Sequence, residues 1–352
     1  MDFFKIRTPQ NANNNTNTES ANKKANENQP WVEKYRPKSM DDVASQEQTT
    51  LILKKALNSE NLPHLLFYGP PGTGKTSTIL ALANELYGPR VVKSRVLELN
   101  ASDERGIQIV RDKIKTFAKS NVTGSDDKYP CPPFKIIILD EADSMTKDAQ
   151  SALRRTMETY SKTTRFCIIC NYVSRIIEPI ASRCAKFRFK SLAHDQLQQR
   201  IQMIATQENV HLGTGSLNAL LRASNGDLRK AITYLQSGQS LQGQDEITPA
   251  IISEIAGTVP EDHITALMET ASMGNVDGIR DKIQDIVDEG YSAENIVSEM
   301  HGRYVNDDSL TSLQKAQIAQ FMAVVDIHLI QRADEQLQLL DLMVKISAVV
   351  VQ

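Results

Sequence analysis

The sequence predicts an α/β domain built on a five-stranded parallel sheet with flanking helices, followed by a small helical domain and an all-helical carboxyl-terminal region. Three observations carry this expectation. Between Pro30 and about Lys190, strand-like apolar runs alternate with helical stripes, the pattern of parallel strands joined by crossover helices. The run Gly69-Pro-Pro-Gly-Thr-Gly-Lys-Thr76 fits G-x4-G-K-T and falls between an apolar strand and a periodic helix. After Lys190 no strand pattern recurs, and apolar residues return only at helical spacing.

Residues 10–28 are Asn-rich and almost free of apolar side chains, so burial cannot offset the entropy of ordering them; 1–29 is expected to be a disordered tail. Phe3 and Phe4 read as a frayed terminus with two stray aromatics. Strands are expected over 64–68, 96–99, 135–139, 165–170 and 186–189. Ile79, Leu82, Ala83 and Leu86 recur on one helix face, with Gly88-Pro89 as the stop signal. Ile107, Val110, Ile114 and Phe117 make a second stripe, and a third helix spans about 146–160 with Ala149, Ala152, Leu153, Thr156 and Tyr160 inward. Three short amphipathic helices then follow, on Leu197, Ile201 and Ile204, on Leu217, Leu220 and Leu221, and on Leu228, Ala231, Ile232 and Leu235. The resulting division is 30–190 for the α/β domain, 191–257 for the small helical domain and 258–352 for the remainder. Within the last, the stretch 313–351 carries more apolar faces than one small bundle needs, which fits subunit packing and an internal core equally.

Composition narrows the function. Forty Lys and Arg against 43 Asp and Glu give a formal charge of −3, so no net basic excess draws the whole chain to nucleic acid or membrane. Any nucleic-acid contact must come from a local patch. No apolar run approaches the roughly 18 residues of a spanning helix, and the first ten residues lack a signal-peptide core, so neither membrane insertion nor secretion is expected. Four cysteines in 352 residues form no disulfide framework. Cys167 and Cys170 spell C-x-x-C, but residues three apart on a strand face opposite sides of a sheet, so they read as buried core residues rather than metal ligands.

The chemistry sits in the phosphate loop. Gly69, Pro70, Pro71, Gly72, Thr73 and Gly74 let successive backbone N–H groups wrap a β-phosphate, while the start of the helix, through Ser77, adds its dipole. Lys75 is placed to reach the β- and γ-phosphates and Thr76 to bind Mg²⁺. The expected cofactors are therefore ATP and Mg²⁺. The run Ile136-Ile-Ile-Leu-Asp-Glu-Ala-Asp143, whose Asp140 lies sixty-four residues after Thr76, ends a buried strand in carboxylates. Asp140 is expected to hold the metal and Glu141 to polarise the attacking water. Asp143 reads equally as a helix-start carboxylate beside Ser144. Asn171, at the end of the next strand, reads either as a contact to the γ-phosphate or its water, or as an ordinary turn residue.

Several strings together resemble one family. Pro30-Trp-Val-Glu-Lys-Tyr-Arg-Pro37, the phosphate loop, Leu99-Asn-Ala-Ser-Asp-Glu-Arg-Gly106, Leu139-Asp-Glu-Ala-Asp-Ser-Met145, Ala152-Leu-Arg-Arg-Thr-Met-Glu158, Ser182-Arg-Cys184 and Gly226-Asp-Leu-Arg229 closely resemble the small subunits of replication factor C, the sliding-clamp loader within the AAA+ ATPases. The resemblance implies an AAA+ domain, a helical lid and a collar that joins subunits. It implies that Arg183 reaches the ATP of an adjacent subunit in trans, that Arg229 acts as a sensor in cis, and that Val32, Tyr35 and Arg36 line the adenine side. Taken alone, Arg183 is a surface base and Arg229 an exposed helix-start arginine. Arg111, Lys115 and Lys119 form a basic stripe with Arg105 at its head, by default a solvated face; the resemblance makes Arg105, Arg111 and Arg175 contacts to a DNA backbone. Implied partners are the other subunits of a heteropentamer, the sliding clamp PCNA and primer-template DNA, with no membrane; the implied location is the nucleus. The segment 120–133 is a clamp-facing candidate by location alone.

Rival readings are weaker. The letters DEAD occur in RNA helicases, but no second sheet domain follows here. An unfoldase needs an aromatic pore loop, and Ser102-Asp-Glu-Arg-Gly106 has none. Another AAA+ machine such as a branch-migration motor, or a nucleotide-binding scaffold that never hydrolyses, is the remaining alternative; Lys75 and Glu141 argue against the scaffold.

Overall fold

The computed structural model describes residues 29–43, 47–58, 62–101, 107–120, 124, 126, 128–243 and 245–351, with the side chains of 47–48, 56–58 and 107–111 excepted. Of the tail expected over 1–29 all but residue 29 lies outside the described residues, as do Arg105, the side chain of Arg111 and part of 120–133. The chain divides into two compact units. One holds the described residues up to Asn209 together with Ser224–Gln236; the other holds Val210–Ala223 and the described residues from Ser237 onward.

The first unit contains α1 (Trp31–Lys34), α2 (Glu47–Asn58), β1 (His64–Tyr68), α3 (Lys75–Arg95), β2 (Val96–Asn100), α4 (Ile107–Lys119), β3 (Lys135–Asp140), α5 (Lys147–Thr159), β4 (Thr164–Cys170), α6 (Glu178–Ala181), β5 (Cys184–Arg188) and α7 (His194–Gln207). The sheet order is β2-β3-β4-β1-β5 and every pairing is parallel. β3 is buried along almost its whole length, which is why it reads as an unbroken apolar run rather than an alternation. Side chains alternate between two cores. Leu65, Phe67, Ile136, Ile138, Cys167 and Ile169 meet Ile79, Leu82 and Leu86 of α3. Leu66, Ile137, Leu139, Phe166, Ile168 and Cys170 meet Ile114, Leu153 and Met157 on the other face. Cys167 and Cys170 are therefore buried on opposite sides, and all four cysteines are free thiols. Burial pushes the Cys167 thiol well up and the Cys170 thiol up to about 12, so both stay protonated at neutral pH.

The structure refines the sequence reading at Gly88, at the start of β5 and on the buried face of α5. Gly88-Pro89 does end the first segment of α3, since Gly88 takes φ 67° and ψ 165°, but Pro89 at once starts a second helical segment that runs to Arg95. A Cβ at position 88 would fall 2.4 Å from the Tyr129 ring, so glycine is also required by space. β5 begins at Cys184 rather than two residues later, because its register with β1 starts at His64–Cys184. As an edge strand it is only partly buried, so its apolar pattern is faint. On α5, Thr146 caps the helix by accepting from the Ala149 N–H at 3.3 Å, and Gln150 and Met157 join the buried face while Ala152 and Tyr160 are half-buried.

The remaining helices are α8 (Ser216–Ser224), α9 (Leu228–Gln242), α10 (Pro249–Ala256), α11 (Glu261–Ser272), α12 (Val276–Asp288), α13 (Ala293–Asn306), α14 (Ser312–Ile330) and α15 (Glu335–Val350). The second unit's core joins Leu267, Ile283, Ile296, Met300, Ile318, Met322, Leu342 and Ile346. Asn275, Ser292, Thr311 and Asp334 cap its helices, Thr311 in a reciprocal capping box with Gln314. The apolar surplus of 313–351 is real: Ile318, Leu339 and Leu342 fill this core, while Leu313, Ile330 and Leu337 are exposed. No described helix is long and apolar enough to cross a membrane.

Candidate nucleotide site

Parallel register brings the functional strand ends together. Tyr68 pairs with Cys170 and Leu139 with Ile168, so Gly69 after β1, Asp140 at the end of β3 and Asn171 after β4 emerge at the same edge of the sheet. The loop after β1 turns directly into α3, and Gly74, at φ 86°, precedes its first residue. Gly72, at φ 69°, lies so close to Asp227 that a Cβ there would stand 1.8 Å from its carboxylate.

Lys75 is 7% exposed, and its Nζ donates to Gly69 O at 2.8 Å, Pro70 O at 2.7 Å and Asn171 Oδ1 at 2.9 Å. Burial lowers its ammonium pKa, opposed by Asp140 and Asp143 and reinforced by the Arg229 charge. No carboxylate is hydrogen-bonded to Lys75 among the described residues, so a buried cation borders the cleft beside Gly72, Thr73 and Gly74 at the start of α3. That is the electrostatic signature of an anion site. Thr76 Oγ1 donates to Asp140 Oδ2 at 2.6 Å, and Asp140 Oδ1 accepts from the Glu141 N–H at 2.9 Å. A hydroxyl and a carboxylate converging beside a phosphate cradle are hard oxygen donors of the kind Mg²⁺ takes.

Glu141 is exposed, lines the cleft and holds φ 52°, an uncommon backbone state for a non-glycine residue. Asp143 accepts from the backbone N–H groups of Asn171 at 3.3 Å and Tyr172 at 3.2 Å. It fixes the end of β4 rather than capping its own helix start.

The same cleft is lined by Val32, Tyr35, Arg36, Pro71, Thr73, Ser77, Glu141 and Arg229. Most of the expected nucleotide residues are thus gathered in one place. Sequence reasoning missed Glu98, Arg200, Leu228 and Ile232, which also line it. The alternation of β2 aims Glu98 at the α3 side, but a lone acid in an apolar strand gave no stronger signal. Asp227, to which the sequence assigned no role, accepts at Oδ1 from the Arg229 N–H at 2.8 Å, fixing the helix turn that carries Arg229. Around the Tyr35 end, Glu208 Oε1 accepts from Tyr35 Oη and Lys34 Nζ, each at 2.5 Å, and Arg200 NH2 donates to Tyr35 O at 3.0 Å.

Arg183 and Arg175 lie elsewhere. Arg183 directly precedes β5, whose first residue pairs with His64 at the start of β1. It therefore sits at the opposite edge of the sheet from the phosphate loop, about 13 Å of strand away. Arg175 is exposed beyond β4 and stacks on the Tyr172 ring, 5.0 Å from its centroid.

A phosphate cradle, a strand-end acid pair and this parallel sheet define an ATPase of the AAA class. The ATPase family associated with various cellular activities matches residues 65–192, an AAA+ ATPase lid domain of the RCF1/5-like type matches 199–239, and the Replication factor C C-terminal domain matches 259–345. Replication factor C subunit 2 of Schizosaccharomyces pombe is 56% identical over 91% of this chain and 94% of its own length. Human Replication factor C subunit 4 is 56% identical over 89% and 86%, and the Archaeoglobus fulgidus Replication factor C small subunit 45% over 88% and 94%. The chain belongs to the replication factor C small-subunit family, and it is an ATPase subunit of a multi-subunit clamp loader of DNA replication. Among solved structures, a variant of Thermotoga maritima RuvB aligns with TM-score 0.51 at 17% identity, over 75% of this chain and 91% of that one, a likeness of fold alone.

Proposed function

We propose that this chain uses ATP binding and hydrolysis, within a heteropentamer, to open the sliding clamp PCNA and load it onto primer-template DNA during nuclear replication and repair. The observation that carries the reading is the segregation of two sets of groups on one sheet. Lys75, Thr76, Asp140, Glu141 and Asn171 converge at one edge, whereas Arg183 stands at the other, out of reach of its own phosphate loop.

In this reading Gly69 to Ser77 cradle the phosphates, Lys75 neutralises their charge, and Val32, Tyr35 and Arg36 flank the adenine. Thr76 and Asp140 hold Mg²⁺, which supplies charge neutralisation on the phosphate oxygens. Glu141 orients water and takes its proton, Asn171 keeps Lys75 and the water in line, and Arg229 senses the γ-phosphate in cis. Arg183 serves the neighbouring subunit's site, where a guanidinium on the transferring phosphoryl group is worth about 10³ to 10⁵ in rate. Arg105, Arg111 and Arg175 contact DNA phosphates, which predicts binding that is salt-sensitive and indifferent to sequence. Residues 191–257 act as the lid and 258–352 as the collar that joins subunits.

The test is steady-state ATP turnover of the assembled complex, with and without clamp and primed DNA, with Lys75→Ala in this subunit as the blank. Stimulation requiring both clamp and primer is expected. Turnover indifferent to both would withdraw the clamp-loading assignment.

A further inference from the structure

Arg183 is held at two points within its own subunit. Its NH1 donates to Pro179 O at 2.5 Å, and its NH2 donates to Glu158 Oε1 at 2.6 Å. Its backbone is held as well, the Arg183 N–H donating to Ile180 O at 3.0 Å as α6 turns into β5. Glu158, in the last turn of α5, is steadied in turn by Arg154 one helical turn earlier, whose Nε donates to the same oxygen at 3.1 Å. The Arg154 hydrogen bond, then the charges of Arg154 and Arg183, hold the Glu158 carboxyl below the ordinary range, so it is anionic at neutral pH. None of these residues lines the subunit's own nucleotide cleft.

We propose that Glu158 is a positioning residue that holds Arg183 extended at the subunit surface, oriented in advance for the nucleotide of an adjacent subunit. This deepens the in-trans reading of Arg183 and rests on it. An arginine at a loop-strand junction otherwise spreads over many rotamers, and a group that must meet a transition state works best when its orientation is fixed before the encounter. Pro179 O and Glu158 take one N–H from each terminal nitrogen, which fixes the plane of the fork and leaves its other N–H groups to face outward. Arg183 and Glu158 side chains are 37% and 41% exposed, so the pair contributes little to folding, and a function in aiming the side chain is the better account of it.

The experiment compares complexes carrying Glu158→Gln, Glu158→Asp, Arg183→Ala or the Glu158→Gln/Arg183→Ala double change in this subunit. Site-resolved ATP turnover and nucleotide binding are measured at this subunit's site and at the site Arg183 faces. Glu158→Gln is expected to lower kcat at the facing site about tenfold to a hundredfold, with KM and this subunit's own nucleotide affinity unchanged. Glu158→Asp should recover part of the loss, and the double variant should be no slower than Arg183→Ala alone. Undiminished or increased turnover in Glu158→Gln, with Arg183→Ala still defective, overturns the positioning role and leaves the in-trans reading standing. Undiminished facing-site turnover in Arg183→Ala overturns the in-trans reading itself. Thermal melting of each variant separates these outcomes from misfolding.

Discussion

Lys75 Nζ donates to Asn171 Oδ1 at 2.9 Å, joining the phosphate-loop lysine to the end of the neighbouring strand β4. The bond is possible because β1 and β4 pair in parallel with Tyr68 opposite Cys170, so the residues that follow each strand are neighbours. If Asn171 aligns Lys75 and water during hydrolysis, Asn171→Ala should lower kcat on the order of a hundredfold while changing ATP affinity only a few-fold. Asn171→Asp should act differently, since a carboxylate beside Lys75 competes with phosphate and weakens ATP binding itself. Equilibrium nucleotide binding and single-turnover hydrolysis, measured side by side, distinguish the two patterns. Equal effects of both substitutions on affinity and rate would count against the alignment role.

The contact between Thr76 Oγ1 and Asp140 Oδ2 at 2.6 Å predicts a metal phenotype. Asp140→Asn keeps the shape and the ability to accept from Thr76, but removes the negative charge that holds a divalent cation. The Mg²⁺ concentration needed for half-maximal hydrolysis should rise about tenfold to a hundredfold, while metal-free nucleotide binding falls much less. Magnesium titrations at fixed ATP provide the check. An unchanged midpoint would remove Asp140 from the metal site.

Much of this site is legible in the sequence because its chemistry is local: the phosphate loop and the strand-end acids are each contiguous strings whose geometry the backbone dictates. All five strands were legible for the same reason, and so was the opposite burial of Cys167 and Cys170, which follows from the two-residue repeat of a strand. What was not legible depends on partners distant in sequence. Gly88 reads as a helix terminator, and is one, but nothing near it in sequence shows that the Tyr129 ring also needs a glycine there. Asp227 draws no reading of its own in the string Gly226-Asp-Leu-Arg229, yet its carboxylate lies against Gly72, some 155 residues earlier. Gln150 gives no inward signal, because a polar residue beside an amphipathic stripe is normally outward, yet it is buried.

Gln150 is 1% exposed and makes three hydrogen bonds: its amide donates to Met145 O at 3.2 Å and Arg175 O at 3.0 Å, and its oxygen accepts from the Ile177 N–H at 2.8 Å. Gln150→Leu fills similar space but removes the partner of three part-buried backbone groups. A fully buried unsatisfied group costs about 1–3 kcal/mol and water reaches part of these, so a loss of about 1–3 kcal/mol in all is expected. The local sign is equally specific, since the Ile177 amide should exchange with solvent much faster than amides in β3. Denaturant unfolding and hydrogen exchange test both, and an unchanged Ile177 exchange rate would show that Gln150 does not anchor the 173–177 segment.

His64 supplies a pH prediction. Its Nδ1 accepts from the Phe166 N–H at 3.1 Å, which requires the neutral ring, and burial first and the Arg165 charge second push its pKa down to about 4. An unfolded histidine titrates near 6.5, so between pH 6.5 and 4 the unfolded chain binds the proton that the folded chain refuses. Stability from this group is therefore complete above pH 6.5, declines as pH falls through that window, and is level below about 4. The slope approaches about 1.4 kcal/mol per pH unit where one full proton separates the states. Other groups titrate in the same range, so the informative quantity is the difference from His64→Gln, whose amide oxygen still accepts from Phe166 but carries no titrating proton. Trp31 is the single tryptophan and belongs to the same unit as His64, so its fluorescence follows the relevant transition in urea. The wild-type midpoint should fall more steeply than that of His64→Gln between pH 6.5 and 4, and parallel profiles would mean that His64 is protonated in the folded state after all.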